Sequence, residues 1–276
     1  MSREQTAVIL LNYLSWQETL EEAKQVKALF GLKPEQIILV DNASPNGSAR
    51  LLREHAPEPY VILTSPENRG YAAGNNLGLR CARDRGFRYA WILNNDIRIE
   101  DPSLLDGMLR ILKENPAVAV VSPDIVSPDG HLYNRDAKRP TLRDFTLGLK
   151  AWQRIGREVK DLGGYGYVYR PQGCCMLLDL EKTAAVGDLD EATFLYCEEM
   201  ILAERLLKKD MRCACFLSGK VVHDHSRTVK SALGKWKQLK TQNRSFRYYL
   251  KTYRGFGPLS RAACLAFYTL KNMLTN

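Results

Sequence analysis

Short apolar runs alternate with amphipathic stretches through the first half of this 276-residue chain. Runs of strand length occupy residues 7–13, 37–40, 60–63, 89–93 and 118–126. After the first run, Leu20, Ala23, Val26 and Phe30 follow the spacing of one helix face, and Gly31 is a typical helix stop. A strand–helix unit repeated four times predicts an α/β fold, with a mostly parallel sheet, right-handed crossovers and helices on both faces.

Three of the predicted strands end in polar residues. These ends carry Asp41, Asn68-Arg69 and Asn94-Asn95-Asp96. Because ligands of open parallel sheets bind at the carboxyl ends of the strands, we expect the three ends to converge on one site. The amide and carboxylate oxygens of residues 94–96 suit Mg²⁺ or Mn²⁺ and, through the metal, a diphosphate. Each sequence taken alone is equally typical of a turn, since Asn and Asp are common turn residues.

A run of small residues, 70–76, opens the helix that follows the third strand and is predicted to reach about Arg85. Small residues at a helix start let a ligand approach the backbone amides. The same residues would also serve tight packing between two elements. Their spacing differs from G-x-G-x-x-G, so no dinucleotide site is predicted.

The second half of the chain is less regular. Residues 131–165 predict an insertion beside the site, with a candidate helix at 145–159 and a glycine-rich loop at 163–166 that could act as a lid. Two strand pieces lie between residues 167 and 180, and a helix begins near Glu198 and Glu199 and runs to about Lys209. Two more short strands, 212–217 and 220–222, lead to His223. Acids at a helix start and histidines at a strand end are also ordinary structural residues, and for His225 we prefer that interpretation.

The positive charge of the chain is concentrated in its C-terminal segment. The net charge is +9, yet residues 230–276 hold ten Lys or Arg and no Asp or Glu, which leaves 30 basic and 31 acidic residues elsewhere. We therefore predict two parts, an α/β domain at 1–228 that carries the site and a basic, aromatic-rich helical extension at 229–276. The extension suits an anionic membrane surface better than nucleic acid. Packing on the α/β domain or on a second subunit is the structural alternative.

Three further features predict a cytoplasmic protein, either free or peripheral on the inner face of the plasma membrane. The seven cysteines have irregular spacings that suit reduced thiols rather than disulfides or zinc. No run of 18 apolar residues occurs, and residues 1–6 are polar, unlike a signal peptide.

Six motifs in a fixed order carry a resemblance to a known family. They are Val40-Asp41-Asn42-Ala43-Ser44, the segment 68–76, Leu93-Asn94-Asn95-Asp96, Gly187-Asp188-Leu189-Asp190-Glu191, Glu198-Glu199 and Val222-His223. In this order the chain resembles, over about residues 6–226, the family 2 inverting glycosyltransferases of the GT-A fold, especially their rhamnosyltransferase-like branch. No single motif would suffice.

The resemblance implies a role for particular residues. Glu199 is at the position of the catalytic base, with Glu198 as the alternative, and Asp96 and His223 are at positions that contact Mn²⁺ or Mg²⁺ and the diphosphate. Asp41 would accept a hydrogen bond from the base or ribose of a UDP- or dTDP-sugar, dTDP-rhamnose among them. The implied donor-binding set is Asn12, Tyr13, Asp41, Arg69, Gly70, Asn75, Asn95 and Asp96. The acceptor would be a hydroxyl of a cell-surface glycan or of its lipid-linked precursor.

The chain departs from the family pattern at three positions. Glu199 and Ile201 stand where Asp is usual, and Asn94 replaces the first carboxylate of the metal motif. These changes keep open a nucleotide-sugar-binding protein with weak activity. A sugar-phosphate nucleotidyltransferase is a second alternative, but it would need a glycine-rich, lysine-bearing loop after the first strand, and residues 13–19 contain neither.

Overall fold

The computed structural model describes residues 3–146, 159–223 and 234–275. Nine strands in these residues form one sheet. They are β1 (Thr6–Asn12), β2 (Ile37–Asp41), β3 (Val61–Thr64), β4 (Tyr89–Leu93), β5 (Ile97–Arg98), β6 (Val118–Val126), β7 (Tyr165–Val168), β8 (Cys175–Asp179) and β9 (Arg212–His223). The order across the sheet is β3-β2-β1-β4-β8-β6-β9-β5, with β7 paired to β9.

The helices flank this sheet. They are α1 (Trp16–Phe30), α2 (Ser48–His55), α3 (Tyr71–Asp84), α4 (Leu104–Glu114), α5 (Leu142–Thr146), α6 (Leu180–Ala184), α7 (Glu198–Leu207), α8 (Lys235–Thr252) and α9 (Pro258–Thr275). No described helix combines the length and the hydropathy that a bilayer span requires.

The first four units form the parallel half of the sheet, as the sequence predicts. β1 pairs in parallel with β2 and β4, and β2 pairs in parallel with β3. Side chains alternate between two cores. Val8 and Leu10 face α1 and α4, whereas Ala7 and Ile9 face α3 and α7. The carboxyl ends of these strands therefore open at one edge.

β6 keeps the direction of β4, as a mostly parallel sheet requires, but the two strands are not neighbours. β8 lies between β4 and β6 and runs antiparallel to both. All five residues of β8 are buried, which suits a central strand. Beyond it, β6 and β9 are parallel, while β5 and β7 pair antiparallel with β9.

Three local predictions also differ from the structure. Residues 212–217 and 220–222 form one strand, because a register shift opposite Pro123 and Asp124 absorbs the three residues 217–219 without ending β9. Tyr165 and Gly166, expected in a loop, begin β7, where pairing with β9 satisfies their backbone groups. The predicted helix at 145–159 meets α5 at Phe145 and then lies mostly outside the described residues.

A glycine joins the two halves of the chain at the start of α3. Gly70 has φ +96°, and a Cβ at this position would lie 1.9 Å from the Phe194 carbonyl oxygen. The same oxygen accepts a hydrogen bond from the Tyr71 amide at 2.9 Å. The segment before α7 is thus held against the start of α3.

The two C-terminal helices pack on the rest of the protein. Phe246, Tyr249, Leu250 and Cys264 form a buried cluster with residues of α5 and α7. Phe246 and Tyr249 are thus core residues, as expected if the extension packs on the rest of the chain.

A buried carboxylate secures this packing. Glu204 of α7 accepts two hydrogen bonds from Arg139, at 2.8 and 2.6 Å, and one from the Tyr169 hydroxyl at 2.7 Å. Arg254, which follows α8, lies 3.5 Å from the same carboxylate. The Tyr249 hydroxyl contacts that of Tyr169 at 2.7 Å. One charge thus connects three separate segments.

Replacing Glu204 with Ala should lower the free energy of unfolding by about 3–5 kcal/mol, because Arg254 would keep a buried charge without its partner. Chemical denaturation at neutral pH measures the change. Glu54→Ala is the control, since Glu54 forms an exposed pair with Arg50 on one helix and its loss should cost less than about 0.5 kcal/mol. Equal effects of the two substitutions would contradict the structural role of Glu204.

Gly70→Ala should destabilise the protein by more than about 3 kcal/mol, since it adds a backbone clash to an unfavourable φ. Gly86→Ala isolates the cost of the φ angle, because Gly86 has φ +81° and a Cβ there would meet nothing within 4 Å among the described residues. That control should lose about 1 kcal/mol. Thermal unfolding of both variants measures the difference, and similar melting temperatures would contradict the close approach to Phe194.

Candidate active site

A chain of hydrogen bonds connects the ends of the parallel strands. The Asn12 amide donates to Asp41 Oδ1 at 2.6 Å, and Thr19 Oγ1 donates to Asn12 Oδ1 at 3.0 Å. Asn95 Nδ2 in turn donates to Thr19 Oγ1 at 2.9 Å and to Ser15 Oγ at 2.8 Å. β2, β1, α1 and the turn after β4 are therefore fixed relative to one another.

Asp41 and Asn12 lie beneath the site surface. Both are fully buried, and Asp41 Oδ2 accepts a hydrogen bond from the Ser44 amide at 3.0 Å. Ser44 Oγ accepts from the Leu14 amide at 3.0 Å, which ties the loop after β1 to the loop after β2. Asp41 thus orders these loops, and the partly exposed Tyr13 lies within them.

Asp96 and His223 meet because β5 pairs with β9. Ile97 and His223 are partners in that ladder, so the residue before Ile97 reaches the histidine ring. Asp96 Oδ1 lies 3.1 Å from His223 Nε2, and both side chains are largely buried. Glu22 of α1 is nearby, and burial together with the charge of Asp96 raises the pKa of its carboxyl to about 8.

This pair fits a divalent cation that a substrate helps to bind. Two ligands about 2.1 Å from an octahedral ion and at right angles to each other lie about 3 Å apart, close to the observed spacing. Asp96 Oδ1 is buried and accepts no aligned hydrogen bond from the described residues. Those residues contain no cluster of three or more acidic, His or Cys ligands, and Mg²⁺ commonly takes its remaining ligands from water and phosphate.

The segment Gly173-Cys174 connects Glu199 to the turn after β4. The Gly173 amide donates to Glu199 Oε1 at 3.1 Å, and the next residue, Cys174, accepts from the Asn94 amide at 2.9 Å. Burial, Cys175 and then the charges of Asp96 and Glu199 raise the pKa of the Cys174 thiol. Asp96 and Glu199 therefore lie around one short segment.

Tyr71 supports this segment from below. Its hydroxyl donates to the Gly173 carbonyl at 2.6 Å, and burial followed by the charge of Glu199 raises the tyrosine pKa. A Cβ at Gly173 would come within 2.5 Å of Glu199 Oε1. The Glu199 carboxylate can therefore occupy this position only because residue 173 is a glycine.

The two acids at the start of α7 have different surroundings. Glu199 is partly exposed, whereas Glu198 is 3% exposed and its Oε1 has no hydrogen-bond partner within the described part of the chain. Burial and the neighbouring Glu199 raise the pKa of Glu198 to about 8. The neutral form of the Glu198 carboxyl is therefore favoured more strongly than it would be in water.

A strained turn precedes these acids. Tyr196 and Cys197 have φ of +75° and +72°, an uncommon conformation for residues other than glycine. α8 holds the turn. Ser245 Oγ donates to the Leu195 carbonyl at 2.7 Å, and Gln238 Nε2 donates to the Tyr196 hydroxyl at 3.0 Å.

Some residues expected at the donor have structural contacts in this structure. Gly70 is packed against Phe194, and Asn75 is fully buried with its amide donating to the Tyr71 carbonyl at 3.0 Å. Neither presents a side chain at the surface, because Gly70 has none and Asn75 is fully buried. Arg69 is half-exposed and lies 3.2 Å from Glu191.

The acidic motif at residues 187–191 is occupied by ion pairs. Asp188 accepts two hydrogen bonds from Arg83, at 3.0 and 2.6 Å. Asp190 lies 3.1 Å from Arg205 and accepts hydrogen bonds from the hydroxyls of Tyr248 and Tyr253. This motif therefore connects α3, α7 and α8 rather than lining the site.

Sequence reasoning missed four residues that shape the site: Thr19, Glu22, Tyr71 and Gly173. Glu22 and Thr19 lie on the buried face of α1 at helical spacing from Val26 and Ala23. A polar residue within an apolar stripe is the signal that could have identified them. Gly173 gave no signal, because its role depends on a contact with a residue 26 positions away.

Comparisons with known proteins identify the family of this chain. The family model described as "Glycosyl transferase family 2" matches residues 7–181, more than half of the chain. A low-salt glycan biosynthesis hexosyltransferase, Agl10 of Haloferax volcanii, is 22% identical over 74% of this chain and 62% of its own length. The N-acetylglucosaminyl-diphospho-decaprenol L-rhamnosyltransferase of Mycobacterium tuberculosis is 25% identical over 69% of this chain and 67% of its own length. The chain thus spans roughly two thirds of these relatives.

Solved structures share the fold. A mannosyltransferase of Pyrobaculum calidifontis, solved with GDP-Man and Mn²⁺, superposes with a TM-score of 0.58 at 16% identity, covering 97% of this chain and 69% of the other. TarS of S. aureus, solved with UDP-GlcNAc, gives a TM-score of 0.58 at 11% identity and covers 98% and 72%. The fold is GT-A, with antiparallel strands in the second half of the sheet. By the family match, this chain belongs to glycosyl transferase family 2.

Proposed function

We propose that this enzyme transfers a sugar, with inversion, from a UDP- or dTDP-sugar to a hydroxyl group of a lipid-linked glycan precursor. The names of the matched relatives support this class of reaction, since they include a rhamnosyltransferase acting on a decaprenol-linked sugar and a galactofuranosyltransferase. dTDP-rhamnose is the donor we would test first. The cytoplasmic location stays a prediction.

The observation that carries the proposal is the connection through Gly173-Cys174. It holds Glu199 on one side and the turn bearing Asp96 on the other. An inverting transfer needs a base on the face of the sugar opposite the leaving diphosphate, so two carboxylates flanking one segment suit the two tasks.

Glu199 is the proposed base. One of its oxygens is held by the Gly173 amide, which leaves the other to accept the proton of the acceptor hydroxyl. As that proton moves to the carboxylate, the acceptor oxygen forms the new bond to the anomeric carbon and the bond to the diphosphate breaks. A fixed carboxylate at this position loses little conformational entropy when the acceptor binds.

Asp96 and His223 are the proposed ligands of Mn²⁺ or Mg²⁺. The cation, when bound, supplies positive charge to the leaving diphosphate. Asn95, which precedes Asp96, fixes this turn through hydrogen bonds to Ser15 and Thr19. Arg69, at the edge of the cleft, is half-exposed and suits a contact with the diphosphate if it exchanges Glu191 for the donor.

Glu199→Gln should lower kcat by about 10²–10⁴ while nucleoside diphosphate binding is retained, because the amide cannot take the proton. Release of UDP or dTDP from a panel of donors, with Mn²⁺ and a polyprenyl-diphospho-sugar acceptor, measures turnover. Glu198→Gln is the matched control. It keeps the size of a buried side chain whose carboxyl pKa is raised by burial and by Glu199, and it should leave kcat within about twofold.

Full turnover by the Glu199 variant would exclude its role as the base. If the protein releases nucleoside diphosphate only by hydrolysing the donor, with no transfer to the acceptor, and both variants do so at the same rate, the result would favour the weakly active nucleotide-sugar-binding protein.

His223→Ala should reduce the gain in UDP or dTDP affinity that Mn²⁺ produces by roughly tenfold or more, because one of two protein ligands is lost. Titration calorimetry with and without Mn²⁺ measures this gain directly and needs no turnover. His131→Ala is the control, since His131 is exposed and stacks edge-on against Tyr133. An unchanged gain in the His223 variant would show that the cation binds elsewhere.

A further inference from the structure

The exposed face of α8 is a stripe of basic residues. Lys237, Lys240, Arg244, Arg247 and Lys251 are all exposed and recur every three or four positions, which places them on one side of the helix. Trp236, at the start of the same face, is 78% exposed. The opposite face of α8 is buried in the cluster with α5 and α7.

The exposed face of α9 is apolar. Leu259 is 88% exposed, Leu270 48% and Met273 58%. Ala262 and Ala266 fill the intervening positions at helical spacing, and Phe267 lies beside them with 39% exposed. A continuous apolar stripe of this length on a surface helix indicates a partner, since single exposed apolar residues are ordinary but aligned ones are not.

The two stripes adjoin. α8 and α9 lie side by side, joined by hydrogen bonds between Asn243 and Thr269, at 3.0 and 3.2 Å, and between Asn272 and Gln242 at 3.3 Å. A groove of about 370 Å³ runs between them. It is lined by Asn243 and Arg247 of α8 and by Leu265, Ala266, Thr269, Leu270 and Met273 of α9. Arginine from one stripe and apolar side chains from the other therefore share one surface.

This surface, which we call the α8–α9 face, is rigidly connected to the proposed base. Ser245 and Gln238, from the buried side of α8, contact the turn that precedes Glu198 and Glu199. A partner on the α8–α9 face would thus be held at a fixed position relative to the start of α7.

We propose that the α8–α9 face docks on the surface of an anionic lipid bilayer, with the basic stripe at the phosphate headgroups and the apolar stripe among the acyl chains. Charge complementarity carries the choice, because residues 230–276 contain ten basic and no acidic residues. Basic residues next to exposed leucine and methionine match the two layers that a bilayer presents at its surface.

Nucleic acid fits this face less well. Sequence-tolerant binding of single strands uses aromatic side chains on which bases stack. Here Phe246 and Tyr249 are buried. Trp236, at one end of the basic face, and Phe267 are the exposed aromatic side chains among the described residues of α8 and α9, and the rest of the apolar stripe is aliphatic. A second copy of this chain would bring two basic stripes of the same sign together unless the copies met through α9 alone.

The experiment uses the full chain and sedimented vesicles, one set of phosphatidylcholine and one with about 30% phosphatidylglycerol. We expect binding to the anionic vesicles and weak binding to the neutral ones. Most of the binding should be lost at 0.5 M salt, because the Debye length there is only about 4 Å. The variant K237Q/K240Q/R244Q/K251Q should lower the partition coefficient roughly a hundredfold or more. L259Q/M273Q should lower it roughly tenfold, since both side chains are exposed and their loss leaves the fold intact.

The matched control, K24Q/R85Q/R110Q/K209Q, removes four exposed charges from other surfaces and should leave binding within about threefold. If net charge alone governed binding, this control would lose as much affinity as the α8 variant. Equal binding to neutral vesicles, or equal losses in the two quadruple variants, would overturn the proposal. So would tighter binding of a single-stranded oligonucleotide than of vesicles at the same salt, or a dimer that L259Q/M273Q converts to a monomer. No donor or acceptor is needed, so failure here leaves the proposed transferase untouched.

Discussion

The direction of β8 is the constraint on which the site depends. In a sheet of parallel strands, each strand begins at the edge opposite the one where its neighbours end. β8 runs antiparallel to β4, so the residues that lead into it arrive where β4 finishes. Gly173 and Cys174 consequently lie beside Asn94, and the Gly173 amide holds the Glu199 carboxylate there through one hydrogen bond. A parallel strand in the same place would have sent that segment to the far edge.

The proposed base, Glu199, is positioned by backbone groups and by the missing side chain of Gly173 rather than by a charged partner. Tyr71 fixes the carbonyl of Gly173, and the amide of the same residue fixes Glu199. The left-handed turn at Tyr196 and Cys197 then sets the direction in which α7 begins. This conformation is costly, and the contacts from α8 help to maintain it. Helices that resemble an appendage in the sequence thus contribute to the geometry of the site.

The sequence was informative where local rules decide the outcome. Apolar periodicity located the parallel strands and α1, α3 and α4, and the polar strand ends identified the edge that holds the site. It was misleading where distant contacts decide. The insertion of β8, the single β9 and the internal roles of Asn75 and Gly70 each depend on a partner far along the chain. Asp41 illustrates both outcomes. The sequence predicted its position at the end of β2, but it did not predict that the side chain is buried beneath the loops.

Glu204 has a consequence for how the protein folds. Its carboxylate contacts Arg139 and Tyr169, which lie within residues 12–223 that carry the candidate site, and Arg254, which follows them. A chain shortened before α8 would expose the apolar side of α7 and leave that cluster of charges incomplete. We therefore expect the family-matched region to lack independent stability, so that its boundaries in evolution and its boundaries as a cooperative folding unit do not coincide.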